Sequence, residues 1–175
     1  LILLGPNHTG MGEPFSIMDK GSWVLPFGRL NINTVLARKL LDEMAFLSVD
    51  TRAHQFEHSI EVELPLLQYL KEDWTFVPIV IASNDFKAYQ ELGKGLASVI
   101  IKLGIEKDTL IAASSDMTHY EDEKSAKEKD GIAIAAIEEL DEEKLWAKLK
   151  EFDISMCGYA PVIAMLAAAK ALGAK

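Results

Sequence analysis

Several side chains that can bind metals or move protons fall next to the ends of predicted strands and helices. The chain has four histidines and one cysteine. His8 and His119 each follow a short apolar run, and Cys157 lies in the loop that opens the last helical segment. Imidazole and thiolate groups serve as metal ligands, as nucleophiles and as acid–base groups. These positions are therefore the first candidates for a functional site.

The stretch AHQFEHSIEVELP, residues 53–65, places two histidines four residues apart. If both residues were helical, they would share a face and could hold a metal together. Glu57 resembles the beginning of the helix, which leaves His54 in the preceding loop or at the rim and favours His58 as a single ligand. Glu61 could accept a hydrogen bond from the His58 ring, or it could be an ordinary solvent-exposed glutamate of the first turn.

The other candidates also have a functional and a structural interpretation. His8 is favoured as a ligand, although it could simply cap a turn. Asp116 and His119, three residues apart after an apolar run, could form a general base with its orienting carboxylate, or Asp116 could cap a local turn. A lone cysteine is often a small buried apolar residue. The position of Cys157 before a helix favours a functional thiolate instead.

These residues must be positioned by the elements that the hydrophobic pattern predicts. Apolar runs predict buried strands, and longer segments with helical spacing lie between them. The predicted strands are 1–4, 46–49, 75–82 and 108–114, and the predicted helices are 31–45, 57–70, 84–103, 124–139, 141–150 and 160–173. This alternation predicts an α/β fold with a mainly parallel or mixed sheet flanked by helices.

Two local features of this map are less regular. Pro65 falls inside the predicted helix 57–70, where it should kink the helix or end its first half. Residues 13–28 are predicted to form a hairpin or irregular excursion that turns at residues 19–21.

The reactive residues follow the predicted strands, and ligands bind beyond the carboxyl ends of strands in open α/β sheets. We therefore expect these side chains to converge at that edge.

Composition excludes several classes of protein. With 175 residues, of which 49% are hydrophobic, the chain can build the core of one domain. A formal net charge of −9 makes nucleic acid an unexpected partner. The apolar run at residues 1–4 is too short to cross a bilayer, so no membrane association is expected. A single cysteine cannot form an internal disulfide, and we expect a cytoplasmic protein.

Four stretches taken together resemble the Memo family, which is also called AmmeMemoRadiSam system protein B. They are GPNH (5–8), EHSIEVELP (57–65), SSDMTHY (114–120) and CGYAP (157–161), in the order of the family. The resemblance implies a fold similar to that of the class III extradiol ring-cleaving dioxygenases. It also implies one Memo-like domain over residues 1–175, incomplete at both ends relative to the family.

The resemblance further implies a metal pocket and its ligands. By this likeness His8, His58 and Cys157 would hold the metal, with Asp116 and His119 beside it as catalytic acid–base groups. Iron or copper is the expected metal, and zinc is the alternative. The expected function is a metal-dependent oxidoreductase of unknown substrate. The alternatives are a non-catalytic module that binds a peptide or small molecule, and a zinc-dependent hydrolase. A radical-SAM protein is an implied partner.

Overall fold

A mixed five-stranded sheet forms the centre of the part of the chain that the structure, a computed structural model, describes: residues 1–70 and 74–174. Its strands, in the order β5–β2–β6–β1–β7, are β1 (Ile2–Pro6), β2 (Phe15–Ile17), β5 (Ser48–Val49), β6 (Val77–Ile81) and β7 (Ile111–Ala113). β1 is parallel to both of its neighbours, whereas β2 is antiparallel to β6. The predicted α/β class is confirmed.

Helices cover both faces of this sheet. Their bounds are α1 (Thr34–Glu43), α2 (Arg52–Gln55), α3 (Leu64–Leu70), α4 (Phe86–Leu103), α5 (Glu123–Glu138), α6 (Glu142–Glu151) and α7 (Tyr159–Ala171). Along β1 the side chains alternate between two apolar clusters, because neighbouring residues of a strand point to opposite faces. Ile2 and Leu4 join the larger cluster with α1, α4 and α7, and Leu3 joins the smaller one. All five residues of β1 are buried, because both faces of the strand are covered. Its sequence is therefore apolar throughout and does not alternate with polar residues.

The segment predicted as a hairpin or irregular excursion at residues 13–28 forms two separate structures. Its first part is β2, which joins the main sheet between β5 and β6. The hairpin comes later and consists of β3 (Ser22–Leu25) and β4 (Gly28–Asn31), which form a sheet of their own. The turn therefore lies at Pro26 and Phe27 rather than at residues 19–21, so the predicted turn position was wrong. Both places carry turn-forming residues, and the three-residue strand β2 gave no detectable alternation.

The helix predicted at residues 57–70 is shorter than expected. It begins at Leu64, which puts Pro65 in the first turn, where a missing N–H costs no hydrogen bond. Residues between His58 and Glu63 form turns instead. Pro65 therefore neither kinks nor divides the helix. His58 lies in an irregular segment, and the helical spacing that placed Glu61 beside it does not apply.

Close packing of α4 on α7 depends on Gly93. A Cβ atom built on Gly93 would lie 2.3 Å from the carbonyl oxygen of Ala164 and 2.7 Å from the Cβ of Ala167. The obstacle is mainly backbone, which cannot rotate away. In α5, a Cβ on Gly131 would meet nothing within 4 Å.

These two glycines give a matched pair of substitutions. We expect Gly93→Ala to lower the free energy of unfolding by about 1–3 kcal/mol, because the added methyl group forces α4 and α7 apart. Gly131→Ala should raise it by about 0.5–1 kcal/mol, because alanine is the better helix former. Urea denaturation of both variants measures the difference. A Gly93→Ala protein as stable as the wild type would show that the helices are less closely packed than described.

Candidate metal centre

Two groups of side chains that could bind a metal are present in the described part of the chain. In each group, one donor atom from every residue lies within 4.8 Å of the others. The first group contains His8, Glu57 and His58, and the second contains Asp116, His119 and Cys157.

Both groups lie beyond the carboxyl ends of two adjacent parallel strands. β1 pairs with β7 so that Leu4 lies opposite Ala113. His8 follows the end of β1 and Asp116 follows the end of β7, so the two loops leave the same edge of the sheet side by side. A hydrogen bond from Ser114 Oγ to Glu63 Oε1, of 3.3 Å, connects the segments that carry the two groups. We call this edge of the sheet, which carries both groups, the crevice.

The buried carboxylate of Glu57 organises the first group. Its Oε1 atom accepts hydrogen bonds from His8 Nδ1 at 2.9 Å and from the backbone N–H groups of His58 and Ser59 at 3.0 Å each. Its Oε2 atom accepts from the backbone N–H of His8. The side chain is 1% exposed. Burial alone would raise the pKa of Glu57, but the hydrogen bonds together lower it from 4.5 to about 2. The carboxylate is therefore ionised.

An ionised carboxylate fixes the tautomer of His8. Because the carboxylate oxygen can only accept, His8 Nδ1 must carry the proton, and in the neutral ring Nε2 keeps a free lone pair. The rings of His8 and His58 stack with their centroids 4.9 Å apart and their planes 24° apart. The His58 side chain is 65% exposed, and its Nδ1 lies 3.5 Å from Glu57 Oε1. Two imidazoles thus stand together at the surface of the crevice.

A glycine allows the two loops of the first group to approach closely. A Cβ atom on Gly5 would lie 2.5 Å from Ser59 Oγ and 2.8 Å from Ile60 Cγ1. Ser59 Oγ donates to the carbonyl oxygen of Pro6 at 3.0 Å. The end of β1 is therefore held directly against the segment that carries Glu57 and His58.

In the second group, two loops are joined by reciprocal hydrogen bonds. The backbone N–H of Asp116 donates to Cys157 Sγ at 3.2 Å, and the backbone N–H of Cys157 donates to the Asp116 carbonyl at 3.3 Å. His119 Nδ1 donates to the Ser155 carbonyl at 2.8 Å, which leaves Nε2 as the free nitrogen of a neutral ring. The distance from His119 Nε2 to Asp116 Oδ2 is 3.9 Å, too long for a hydrogen bond. Ser155, and not Asp116, orients this imidazole.

The structure thus distributes the residues expected from sequence over the two groups. His8 and His58 lie together, and Asp116, His119 and Cys157 lie together. The combination of His8, His58 and Cys157 around one metal is not one of the two groups, and it stays a prediction. Glu61 is exposed and borders a cavity with Trp23 and His54.

The carboxylate that sequence reasoning missed is Glu57, which was assigned to the beginning of a helix. An acidic residue directly before a candidate ligand could have indicated this role.

His54 belongs to the protein interior. It lies in α2, is 8% exposed and packs edge-on against Trp23, with ring centroids 6.1 Å apart. Neither ring nitrogen makes a hydrogen bond of good geometry within the described chain. Burial lowers the pKa of His54 from 6.5 to about 4, although the Ser16 backbone, Asp50 and Glu57 favour the protonated form. The expected loop or rim position was therefore wrong.

A cavity of about 510 Å³ lies along β7 and α7, away from both groups, and apolar residues such as Ile111 and Leu166 dominate its walls. Among the described residues, no helix combines the length and the apolar character that crossing a membrane requires.

The role of Glu57 can be tested against the neighbouring Glu61. We expect Glu57→Gln to lower the free energy of unfolding by about 1–3 kcal/mol, because the amide leaves buried N–H groups without an acceptor. Glu61→Gln should change it by less than about 0.5 kcal/mol, since that side chain is exposed. Urea denaturation of the metal-free proteins measures both values. Nitrogen NMR shifts of the His8 ring should also move in Glu57→Gln alone. Equal effects of the two substitutions would contradict the assigned role.

His54 should make the protein less stable in mild acid. Because its pKa is lower in the folded state, the unfolded chain binds the extra proton between pH 6.5 and 4. Its contribution to stability is complete above about pH 6.5, and about 3 kcal/mol is lost as the pH falls to 4. The pH dependence of unfolding should be flatter in both His54→Phe and His54→Leu. Phenylalanine and leucine differ in shape, so a change that both variants share reflects the loss of the titrating group and not altered packing. If the free energy of unfolding depended on pH in both variants as it does in the wild type, His54 would not cause the loss of stability in acid.

Comparisons with known proteins show the family to which the chain is similar. The family described as "Memo-like protein" matches residues 1–175. A MEMO1 family protein from Methanobrevibacter smithii is 38% identical over 174 residues, covering 98% of this chain and 60% of the relative. One from Methanococcus maripaludis strain C6 is 43% identical over 178 residues, covering 99% and 62%. One from Aquifex aeolicus is 39% identical over 175 residues, covering 99% and 64%.

A solved structure shares the fold alone. The crystal structure of an uncharacterized protein from Escherichia coli K12 aligns with a TM-score of 0.56 at 16% identity, covering 95% of this chain and 74% of that one. The present chain spans about three fifths of the length of the curated relatives it matches. With the family matched from end to end and relatives about 40% identical, the chain belongs to the Memo-like protein family.

Proposed function

We propose that this chain carries the metal centre of a metal-dependent oxidoreductase and that His8 and His58 hold one divalent cation. The observation that supports this most directly is the stacked pair of imidazoles behind which the buried Glu57 carboxylate fixes the His8 ring. A carboxylate that accepts the second ring N–H of a histidine is the usual support of a metal-ligating imidazole.

The donors fit the proposed metal. Neutral imidazoles suit iron, copper and zinc, and two protein ligands leave coordination positions for other groups. Glu57 is a positioning residue and not a ligand, since four N–H groups already occupy its oxygens and its side chain is 1% exposed. When bound, an iron or copper ion would supply one-electron chemistry to a substrate in the crevice.

The residues around the metal would bind the substrate and transfer protons to and from it. His119 holds its Nδ1 proton on Ser155, so its Nε2 can take a proton from a substrate or, once protonated, return it. Asp116 is 86% exposed and can contact a polar substrate group. The exposure of His8 and His58, at 37% and 65%, lets a small molecule or a peptide reach the metal directly. The predicted third ligand, Cys157, lies beside these groups.

Metal analysis tests the central part of the proposal. The protein, purified without chelators and then titrated anaerobically with Fe²⁺, should bind metal in a fixed ratio to the chain. His8→Ala and His58→Ala should each weaken metal binding by at least about 10-fold, because each removes a ligand. Glu61→Gln is the matched control and should bind like the wild type. Unchanged binding in both histidine variants would refute the proposed ligands.

Activity separates the candidate functions once metal is bound. Oxygen uptake with catechol-type compounds, present in the wild type and lost in His58→Ala, would support an oxidoreductase. Hydrolysis of model esters by the zinc-loaded protein, without oxygen uptake by the iron-loaded one, would favour a hydrolase instead. Peptide or small-molecule binding that persists in His58→Ala without metal would indicate a binding module.

A further inference from the structure

We infer that the hairpin of β3 and β4, together with α3 and the turns before it, forms a self-association surface, and that the same surface of a second copy of this chain occupies it. This inference goes beyond the proposed function, because the surface contains none of the candidate metal ligands. It concerns how the chain assembles, so it can fail while the proposed function holds.

Six large apolar side chains are exposed on these elements. Their exposed fractions run from 56% for Val62 to 81% for Tyr69. Leu66, Tyr69 and Leu70 are spaced by three and four residues, so they share the outer face of α3. We call the six residues the hairpin–α3 patch: Val24, Phe27, Val62, Leu66, Tyr69 and Leu70.

The hairpin lies alongside α3 and the turns before it, which makes the patch continuous. Val24 and Glu61 border one cavity, of about 200 Å³. Phe27 and Tyr69 border another, of about 380 Å³. The two parts of the patch therefore meet at two points along the hairpin, and a partner that contacts one part also reaches the other.

The area of the patch matches what a stable dimer needs. An exposed aromatic side chain presents about 150–250 Å² and an exposed aliphatic one about 60–120 Å² of apolar surface. With the exposed fractions above, the patch presents roughly 500 Å². A standard interface buries about 800 Å² on each partner, of which about 60%, or about 500 Å², is apolar. A single apolar patch of this size is often a functional surface.

An unpaired polar group between the hairpin and α3 points to a partner independently of the apolar area. Gln68 is 7% exposed and borders the same cavity as Phe27 and Tyr69. Its Oε1 atom accepts no hydrogen bond from any residue that the structure describes. Because a buried amide oxygen without a donor destabilises the isolated chain, a group that enters the cavity and bonds this amide gains stability.

A second copy supplies that group from the patch itself. In a two-fold dimer the same residues meet in both directions. Tyr69 borders the cavity and is 81% exposed, and the Tyr69 hydroxyl of each copy bonds the Gln68 amide of the other. A tyrosine hydroxyl both donates and accepts, and a glutamine amide can rotate by half a turn, so either amide atom can take part. Tyrosine is also enriched among the residues that dominate association.

Charge predicts how salt acts on this dimer. None of the six patch residues is charged, whereas each chain carries a formal net charge of −9. Two copies therefore repel each other over long range and attract each other at the apolar contact. Screening weakens only the repulsion, so raising NaCl from about 50 to about 500 mM should lower the dimer dissociation constant. A contact held by ion pairs would respond in the opposite direction.

Analytical ultracentrifugation of the full, metal-free chain tests the surface. The wild type should sediment as a dimer that dissociates on dilution. Leu66→Asp should raise the dissociation constant by at least about 30-fold, because it buries a charge in the contact. Val35→Asp is the matched control and should dimerise like the wild type: Val35 is 70% exposed in the first turn of α1, and Leu66 is 67% exposed in the first turn of α3. Urea denaturation checks that both variants fold.

A double-mutant cycle tests the hydrogen bond across the contact. Tyr69→Phe and Gln68→Leu should each raise the dissociation constant by about 10-fold, since each removes the same two bonds of the symmetric dimer. The double variant should dimerise about as well as either single variant. Effects that multiply in the double variant would overturn the pairing of Tyr69 with Gln68.

The remaining outcomes decide the surface as a whole. A wild type that stays monomeric at all concentrations and at both salt concentrations would refute the second copy as the occupant. Equal dissociation constants for Leu66→Asp and Val35→Asp would place the dimer contact elsewhere and refute the patch. Metal binding by the Leu66→Asp monomer should equal that of the wild type, so a failure of the dimer and a failure of the proposed metal centre are distinguishable.

Discussion

The hydrogen bonds to the buried Glu57 carboxylate hold the loop that carries His8 against the segment that carries His58. Two separate stretches of chain, the loop after β1 and the turns before α3, converge on these two oxygens. A buried carboxylate without such partners would be costly, whereas four N–H donors keep it ionised in the interior. The same ionised group then decides which nitrogen of His8 faces outward. The same carboxylate therefore joins the two chain segments and sets the tautomer of His8.

Glycines make this arrangement sterically feasible at two points. Gly5 lets Ser59 and Ile60 pack against the end of β1, and Gly158 lets the Cys157 loop pack against the loop after β7. Both contacts lie at the edge of the sheet where the parallel strands β1 and β7 end. At one contact the end of β1 meets the segment before α3, and at the other the loop after β7 meets the loop before α7. The side chains of the crevice contribute almost nothing to the core, which lies on either side of the sheet.

Family membership and chemistry rest on different grounds in this protein. The match to the Memo-like family covers residues 1–175, but the relatives compared here are longer than this chain. A fold can serve many reactions, so the reaction must be argued from the donors themselves. Those donors form two groups of different character. Two imidazoles stand over a carboxylate in one, and a carboxylate, an imidazole and a sulfur meet in the other.

The sequence determined the class of fold, the position of most elements and the candidates for the site. Alternating apolar and helical segments correctly predicted the α/β sheet, because buried strands and amphipathic helices leave distinct periods in a sequence. The scarce residues His8, His58, Asp116, His119 and Cys157 could be identified by their types and their places after strands. Their division into two groups could not be read in this way.

Only the tertiary structure decided which side chains support and surround the candidates. Glu57 and Glu61 are the same residue type four positions apart, and nothing in the sequence distinguishes their roles. In the structure Glu57 is buried and accepts four N–H hydrogen bonds, whereas Glu61 faces solvent. His54 looked like a loop residue, but the hairpin of β3 and β4 brings Trp23 over it. Each of these outcomes depends on contacts between segments distant in the chain, such as His8 with Glu57, and periodicity within one segment carries no information about them.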